Sequence, residues 1–169
     1  MSFDLRRPPE ISELLTMLSP QASRSPLFLV SLVSHDAHDK AGTPRAMPAA
    51  AACVAPIAEA ANQLGTNVTL APRLGTWLEH PQDAVRLAMR VNKRHVGVAL
   101  DCNAWQQTDG RDEGLPDVLR LVLPKLNAMT LSPHGDLASW RDDETYKRIA
   151  PRLAAQGWRG PVVLRPTGA

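Results

Sequence analysis

The chain has 169 residues, a length that suits one domain and can bury a core without disulfides or metals. Hydrophobic residues at 44% and charged residues at 21% set aside both a disordered and a fibrous chain. A formal net charge of +2, with no block of Lys or Arg, argues against nucleic acid as a partner.

Arg6 and Arg7 form an isolated basic pair that reads as solvated surface. No apolar run approaches the length of a membrane span. No charged segment followed by an apolar one opens the chain. Cys53 and Cys102 are the only cysteines, one in an alanine-rich stretch and one directly after an apolar run. They read as buried thiols of a reducing compartment, not as a disulfide framework. Together these features predict a cytoplasmic protein with no membrane partner. The abrupt start fits a fragment of a longer gene.

Residues 10–18 (EISELLTML) predict a short helix. Residues 27–33 (LFLVSLV) predict a buried strand, being continuous in Val and Leu. Residues 48–64 form an alanine-rich helix with Ile57, Ala61 and Leu64 on one side; Pro56 restarts or kinks it and Gly65 closes it. Residues 68–70 (VTL) predict the second strand. Pro81 opens a helix whose apolar stripe is Val85, Ala88 and Val91. Residues 96–100 (VGVAL) are the third strand, and the polar stretch 104–115 reads as a loop. Pro116 opens a helix with Val118, Leu119 and Val122 inward. Residues 127–131 (NAMTL) are the fourth strand. Asp143 opens the last helix, with Tyr146, Ile149 and Leu153 inward and a kink expected at Pro151; Gly157 stops it. Residues 162–164 (VVL) are the fifth strand.

Continuous apolar strands are covered on both faces, as a parallel sheet requires. Strands alternating with helices imply right-handed crossovers. The chain is therefore α/β, with about five parallel strands, read as a single domain over residues 1–169. Periodicity does not separate an open doubly wound sheet from part of a barrel. No glycine-rich phosphate fingerprint follows any strand. The polar stretches 35–47 and 104–115 both follow strands, and so lie on the ligand-binding edge in either architecture.

Five pieces, in order, resemble the xylose isomerase-like barrels of the sugar phosphate isomerase/epimerase family. They are NVTLAPR (67–73) with GTW (75–77), DAVRL (83–87), VGVALD (96–101), LNAMTL (126–131) and LAAQGWRGPVVL (153–164). The resemblance covers about residues 27–166 and implies the fourth to eighth strands of a (β/α) TIM barrel, hence a partial barrel. It implies a divalent metal, Mg, Mn, Co or Zn, at the C-terminal mouth, where it would polarise a sugar or sugar phosphate. Of the ligand positions it implies, Asp101 carries a carboxylate. The others hold Ala71, Ala104, Thr130 and Arg165.

Asp101 is the candidate metal ligand or catalytic carboxylate, against a cap or salt-bridge role. His35 and His134, beside Asp36, His38, Asp39 and Asp136, are candidate replacement metal ligands on loops after strands, against ordinary solvated loop residues. Arg73 and Arg165 end strands and are candidate anion-binding residues, against an ion pair with Asp101. Trp105 is a candidate stacking platform for a sugar, against packing. The leading expectation is an isomerase or epimerase acting on a sugar or sugar phosphate. The alternatives are a non-catalytic binding module that has lost its metal ligands and, third, a metal-dependent endonuclease of the same superfamily. Missing barrel units would leave two strand edges and an inner face uncovered, which predicts a homo-oligomer or a partner chain that completes the barrel.

Overall fold

The computed structural model describes residues 1–36, 38–108, 114–132 and 137–165. Its centre is one sheet of six parallel strands in sequence order: β1 (Ser2–Asp4), β2 (Leu27–Val33), β3 (Asn67–Leu70), β4 (Val96–Asp101), β5 (Leu126–Leu131) and β6 (Val162–Leu164). Helices α1 (Ile11–Ala22), α2 (Met47–Gln63), α3 (Pro81–Val91), α5 (Leu115–Val122) and α6 (Glu144–Ala155) connect successive strands. A sixth helix, α4 (Cys102–Thr108), immediately follows β4 and shares the β4–β5 connection with α5.

Strand order decides the architecture. When each new strand adds on the same side and the crossovers keep one hand, every helix falls on one face. α1 packs on α2, α2 on α3, and α3 on α5, in a single row. The other face becomes the concave interior of a barrel. A doubly wound sheet needs a reversal of strand order, and none occurs. β1 and β6 do not pair with one another, so the barrel is partial and open.

Each strand divides its residues between the two faces. Val68 and Leu70, Val96, Val98 and Leu100, and Met129 and Leu131 join the apolar core beneath the helices. The opposite face carries Leu29, Ser31, Thr69, Ala71, Gly97, Ala99, Asp101, Ala128, Thr130 and Val163, most of them small. Thr69, Ala99, Ala128 and Thr130 are fully buried, so this face is not bare as the sequence implied. Ser31 donates its hydroxyl to the Ala71 carbonyl at 2.6 Å. At the β4–β5 register shift, the Asn127 amide crosses β4 to donate to the Val68 carbonyl (3.4 Å) and the Thr69 hydroxyl (3.3 Å). It passes over Gly97, where any Cβ would overlap it.

The sixth strand is one more than expected. β1 is three residues long, too short for a periodic signal, and is held by ladder bonds such as Ser31 N–H to the Met1 carbonyl at 2.9 Å. Residues 104–108, the first part of the stretch expected as loop, belong to α4, which Asp101 caps. α6 runs unbroken as one helix through Pro151, and the Asp143 carboxylate caps it by accepting from Thr145 N at 2.9 Å and Tyr146 N at 3.3 Å. The turn between α6 and β6 explains its Gly-aromatic-x-Gly pattern. Gly157 takes a left-handed φ of 81° to leave the helix. The Trp158 indole then donates to the Leu126 carbonyl at 3.2 Å, and only a glycine at 160 leaves room for the ring.

Candidate functional site at the strand C-termini

Parallel strands carry their last residues to one edge of the sheet, and Arg73, Asp101 and Arg165 arrive there together. Asp101 is the last residue of β4, Arg165 follows β6, and Arg73 follows β3 by a short turn in which Thr76 N–H bonds the Arg73 carbonyl at 3.1 Å. β5 lies between β4 and β6. The Arg165 side chain therefore reaches across β5 to form an ion pair between its Nη2 and Oδ2 of Asp101. The other oxygen, Oδ1, accepts from Ala104 N at 2.9 Å. Both oxygens of this buried carboxylate are thus engaged, one by a guanidinium and one as a helix cap.

Arg165 is itself pinned, its N–H bonding the Leu131 carbonyl at 2.8 Å. Burial first, and then the nearby charge of Arg73, push its guanidinium below the ordinary arginine value. Arg73 and Arg165 thus face the same space. Arg73 is exposed, and among the described residues no carboxylate pairs with it. Beneath Arg165 sits Thr130, paired in register with both Asp101 and Val163. Its hydroxyl is fully buried and has no hydrogen-bond partner among the described residues; the same holds for Nε of Arg165.

The remaining nominated residues lie elsewhere. Trp105 is 1% exposed, a member of the apolar core on α4 with the Arg148 guanidinium 5.1 Å from its ring centroid. Its burial corrects the expectation of a sugar-stacking platform, since a ring closed off from solvent offers no face to a ligand. His35 is exposed after β2. His134 and Asp136 lie outside the described residues. Among those described, no group of three or more His, Cys, Asp or Glu residues is positioned to hold a metal. Asp101, the one carboxylate at the implied ligand positions, already binds a cation of the chain's own. The described residues therefore do not fit a resident divalent metal.

Two features escaped the sequence. Arg6 is not loose surface: its Nε and Nη2 bind the two oxygens of Asp39 at 2.6 Å each. No pattern signals a pairing between a strand end and a loop so far along. The Asn103 side chain donates to the Ser132 carbonyl at 3.0 Å and accepts from Ser132 N at 2.7 Å, tying α4 to the end of β5. A separate, shallow cavity of about 420 Å³ lies between α4 and α6, lined by Gln106, Glu144, Thr145, Lys147 and Arg148. It contains none of the nominated residues.

No family model matches the chain, and neither does any curated protein. Solved structures do. A xylose isomerase-like TIM barrel protein from Mycobacterium smegmatis, in complex with magnesium, superposes with a TM-score of 0.67 at 15% identity, over 94% of this chain and 60% of that one. D-psicose 3-epimerase from Clostridium cellulolyticum, with D-tagatose, gives 0.63 at 19% identity, over 92% and 54%. A family 2 AP endonuclease from Brucella melitensis gives 0.66 at 19% identity, over 94% and 63%. The chain thus has the fold of the xylose isomerase-like barrels and spans less than two thirds of the length of these three relatives.

Proposed function

We propose that this chain binds a sugar or sugar derivative at the C-terminal edge of its sheet, without a resident metal, and that Arg73 and Arg165 recognise a negatively charged substituent on it. The observation that carries this reading is the Arg165–Asp101 pair. The resemblance implies a divalent ion supplying positive charge in that place, and one neighbour is described in complex with magnesium. Here a guanidinium supplies it, and Asp101 balances it. A carboxylate bound to a guanidinium and to a backbone N–H is a poor proton acceptor and a poor ligand, so Asp101 acts as a positioning residue for Arg165. A binding module follows from this more directly than an isomerase does. Fold alone does not choose between them, because barrels host many chemistries.

Isothermal titration with Mg²⁺, Mn²⁺, Co²⁺ and Zn²⁺ tests the reading, together with exchange of sugar C–H protons in D₂O. Sugar binding unchanged by chelator, with no proton exchange, supports it. Stoichiometric metal uptake with metal-dependent exchange overturns it in favour of an isomerase or epimerase. We further propose that the open edges β1 and β6 pair with a second copy or another chain, a reading that a monomeric mass by light scattering would remove.

A further inference from the structure

The edge of the sheet opposite the candidate site is basic. We infer that one corner of it, formed by the last turns of α3 and α5 and the turns that follow them, is a docking surface for another protein, one that presents an acidic segment with apolar side chains interspersed. This is independent of what binds at the strand C-termini.

Helices in this fold run back against the strands, so they start at the strand C-termini and finish at the strand N-termini. Among the described residues, every Asp and Glu except Glu59 ends a strand, follows one, or stands at the start of a helix. The opposite edge gathers cations. Arg90 lies in the last turn of α3; Asn92 leaves the helix with a left-handed φ of 50°, and Lys93 and Arg94 make the turn into β4. Lys125 ends the short turn that leads from α5 into β5, the neighbouring strand. α3 packs on α5, so pieces far apart in the sequence meet at one corner, and the near-neutral total of +2 conceals it.

Arg86 and Arg120, on the same two helices, are taken by Asp83 at 3.1 Å and Asp117 at 2.9 Å. Arg90, Lys93, Arg94 and Lys125 pair with no carboxylate among the described residues. One cation in the last turn is enough to offset a helix dipole. Lys93, Arg94 and Lys125 lie beyond the helix ends and exceed that need.

Apolar side chains at the same corner select the partner. Met89, beside Arg90, is 64% exposed, and Leu121, in the last turn of α5, is 40% exposed. Their neighbours Leu87, Ala88, Leu119 and Val122 are buried, so Met89 and Leu121 project from the opposite side of each helix. Nucleic acid would engage the cations but set both apolar side chains against a polar, charged backbone. Two such side chains are too little to anchor the chain in an anionic membrane. A protein segment offers carboxylates to the cations and apolar groups to Met89 and Leu121, and an unbranched methionine adapts to such contacts.

The test is fluorescence anisotropy of a labelled amphipathic peptide of Glu and Leu, titrated with the whole chain, against polyglutamate, single-stranded RNA and phosphatidylserine vesicles. We expect the peptide to bind at least tenfold tighter than polyglutamate or RNA, and to weaken at least tenfold between about 50 and about 300 mM salt. Lys93→Glu with Arg94→Glu should weaken it at least tenfold. Met89→Ser with Leu121→Ser should erase its advantage over polyglutamate. Arg7→Glu, at the other edge, should change nothing. All five positions are exposed, and melting curves check that the variants fold. Tighter binding of RNA or of vesicles overturns the inference, as does binding of none of the four, or peptide binding that the corner variants leave unmoved.

Discussion

Arg6 grips both carboxylate oxygens of Asp39, 33 residues further along the chain, and so fastens the segment after β1 to the loop after β2. The Ser34 hydroxyl adds a bond at 3.0 Å. The Arg6 guanidinium, reinforced by Ser34, holds the Asp39 carboxyl below its ordinary value even against the cost of burial. A carboxylate held low stabilises the fold above the ordinary carboxylate pKa of about 4, and that contribution is lost as pH falls through its lowered folded value. Arg6→Gln should therefore melt earlier than the parent at pH 7, and the gap should close as the pH falls through the lowered folded value of Asp39. Melting curves from pH 2 to 7 read this directly. A gap that stays constant with pH would mean the pair contributes nothing through its charge.

Arg165→Ala strands a buried carboxylate. Removing one partner of such a pair costs about 3 kcal/mol or more. The double variant Arg165→Ala with Asp101→Ala removes both charges and should recover part of that loss. Denaturant titrations of the three variants give the coupling, and strict additivity would show that the two side chains do not support each other.

Arg165→Glu sets a second carboxylate beside Asp101. Without metal, it should be the least stable variant at this position. Millimolar Mn²⁺ should raise its melting temperature while leaving the parent unchanged, because two carboxylates now face one another where a guanidinium stood. If the parent is stabilised by Mn²⁺ to the same degree, the guanidinium is not standing in for a cation.

Gly97→Ala drives a methyl into the Asn127 amide on the concave face. Overpacking of this kind costs about 1–3 kcal/mol. Adding Asn127→Ala removes the obstacle, so the double variant should lose less than the two single variants summed. Denaturation midpoints decide it, and a neutral Gly97→Ala would show that the Asn127 side chain can move aside.

Burial pushes the Cys102 thiol up to about 12, with Asp143 adding to it, and the Cys53 thiol up to about 11, with Asp4 adding to it. Neither thiol should react with a disulfide reagent at pH 8 until the protein unfolds, because the thiolate is the reacting form. The buried neutral thiols stabilise the fold fully below the ordinary thiol value, and this is lost as pH rises through their raised values. Rapid modification of the native protein would contradict the burial of both.

The rhythm of the fold was legible because it rests on long apolar runs and on prolines and glycines at element ends. The strands at 27–33 and 96–101 carry enough Val and Leu to announce themselves, and 126–131 is marked by its place between two helical stretches. β1 could not be read, since Ser2–Asp4 becomes a strand only through its neighbour. The helix at 102–108 escaped for the same kind of reason: Asn103, Gln106 and Gln107 look loop-like, while the Asp101 cap and the burial of Ala104 and Trp105 make them helical. At the edge, the convergence of Arg73, Asp101 and Arg165 followed from parallel topology. Which partner each would choose did not, because a side chain that crosses a whole strand leaves no trace in spacing. Burial likewise moved Trp105 out of reach, although its sequence position after a strand suggested access.

The gap between β1 and β6 is lined by two strands that run the same way. Any polypeptide that bridges it in kind must also run in that sense. Two adjacent parallel strands need a return segment of a dozen or more residues between them, so a tight hairpin cannot supply both. Whatever zips this seam shut with two strands must bring its own crossover, and with it another piece of the outer helical layer.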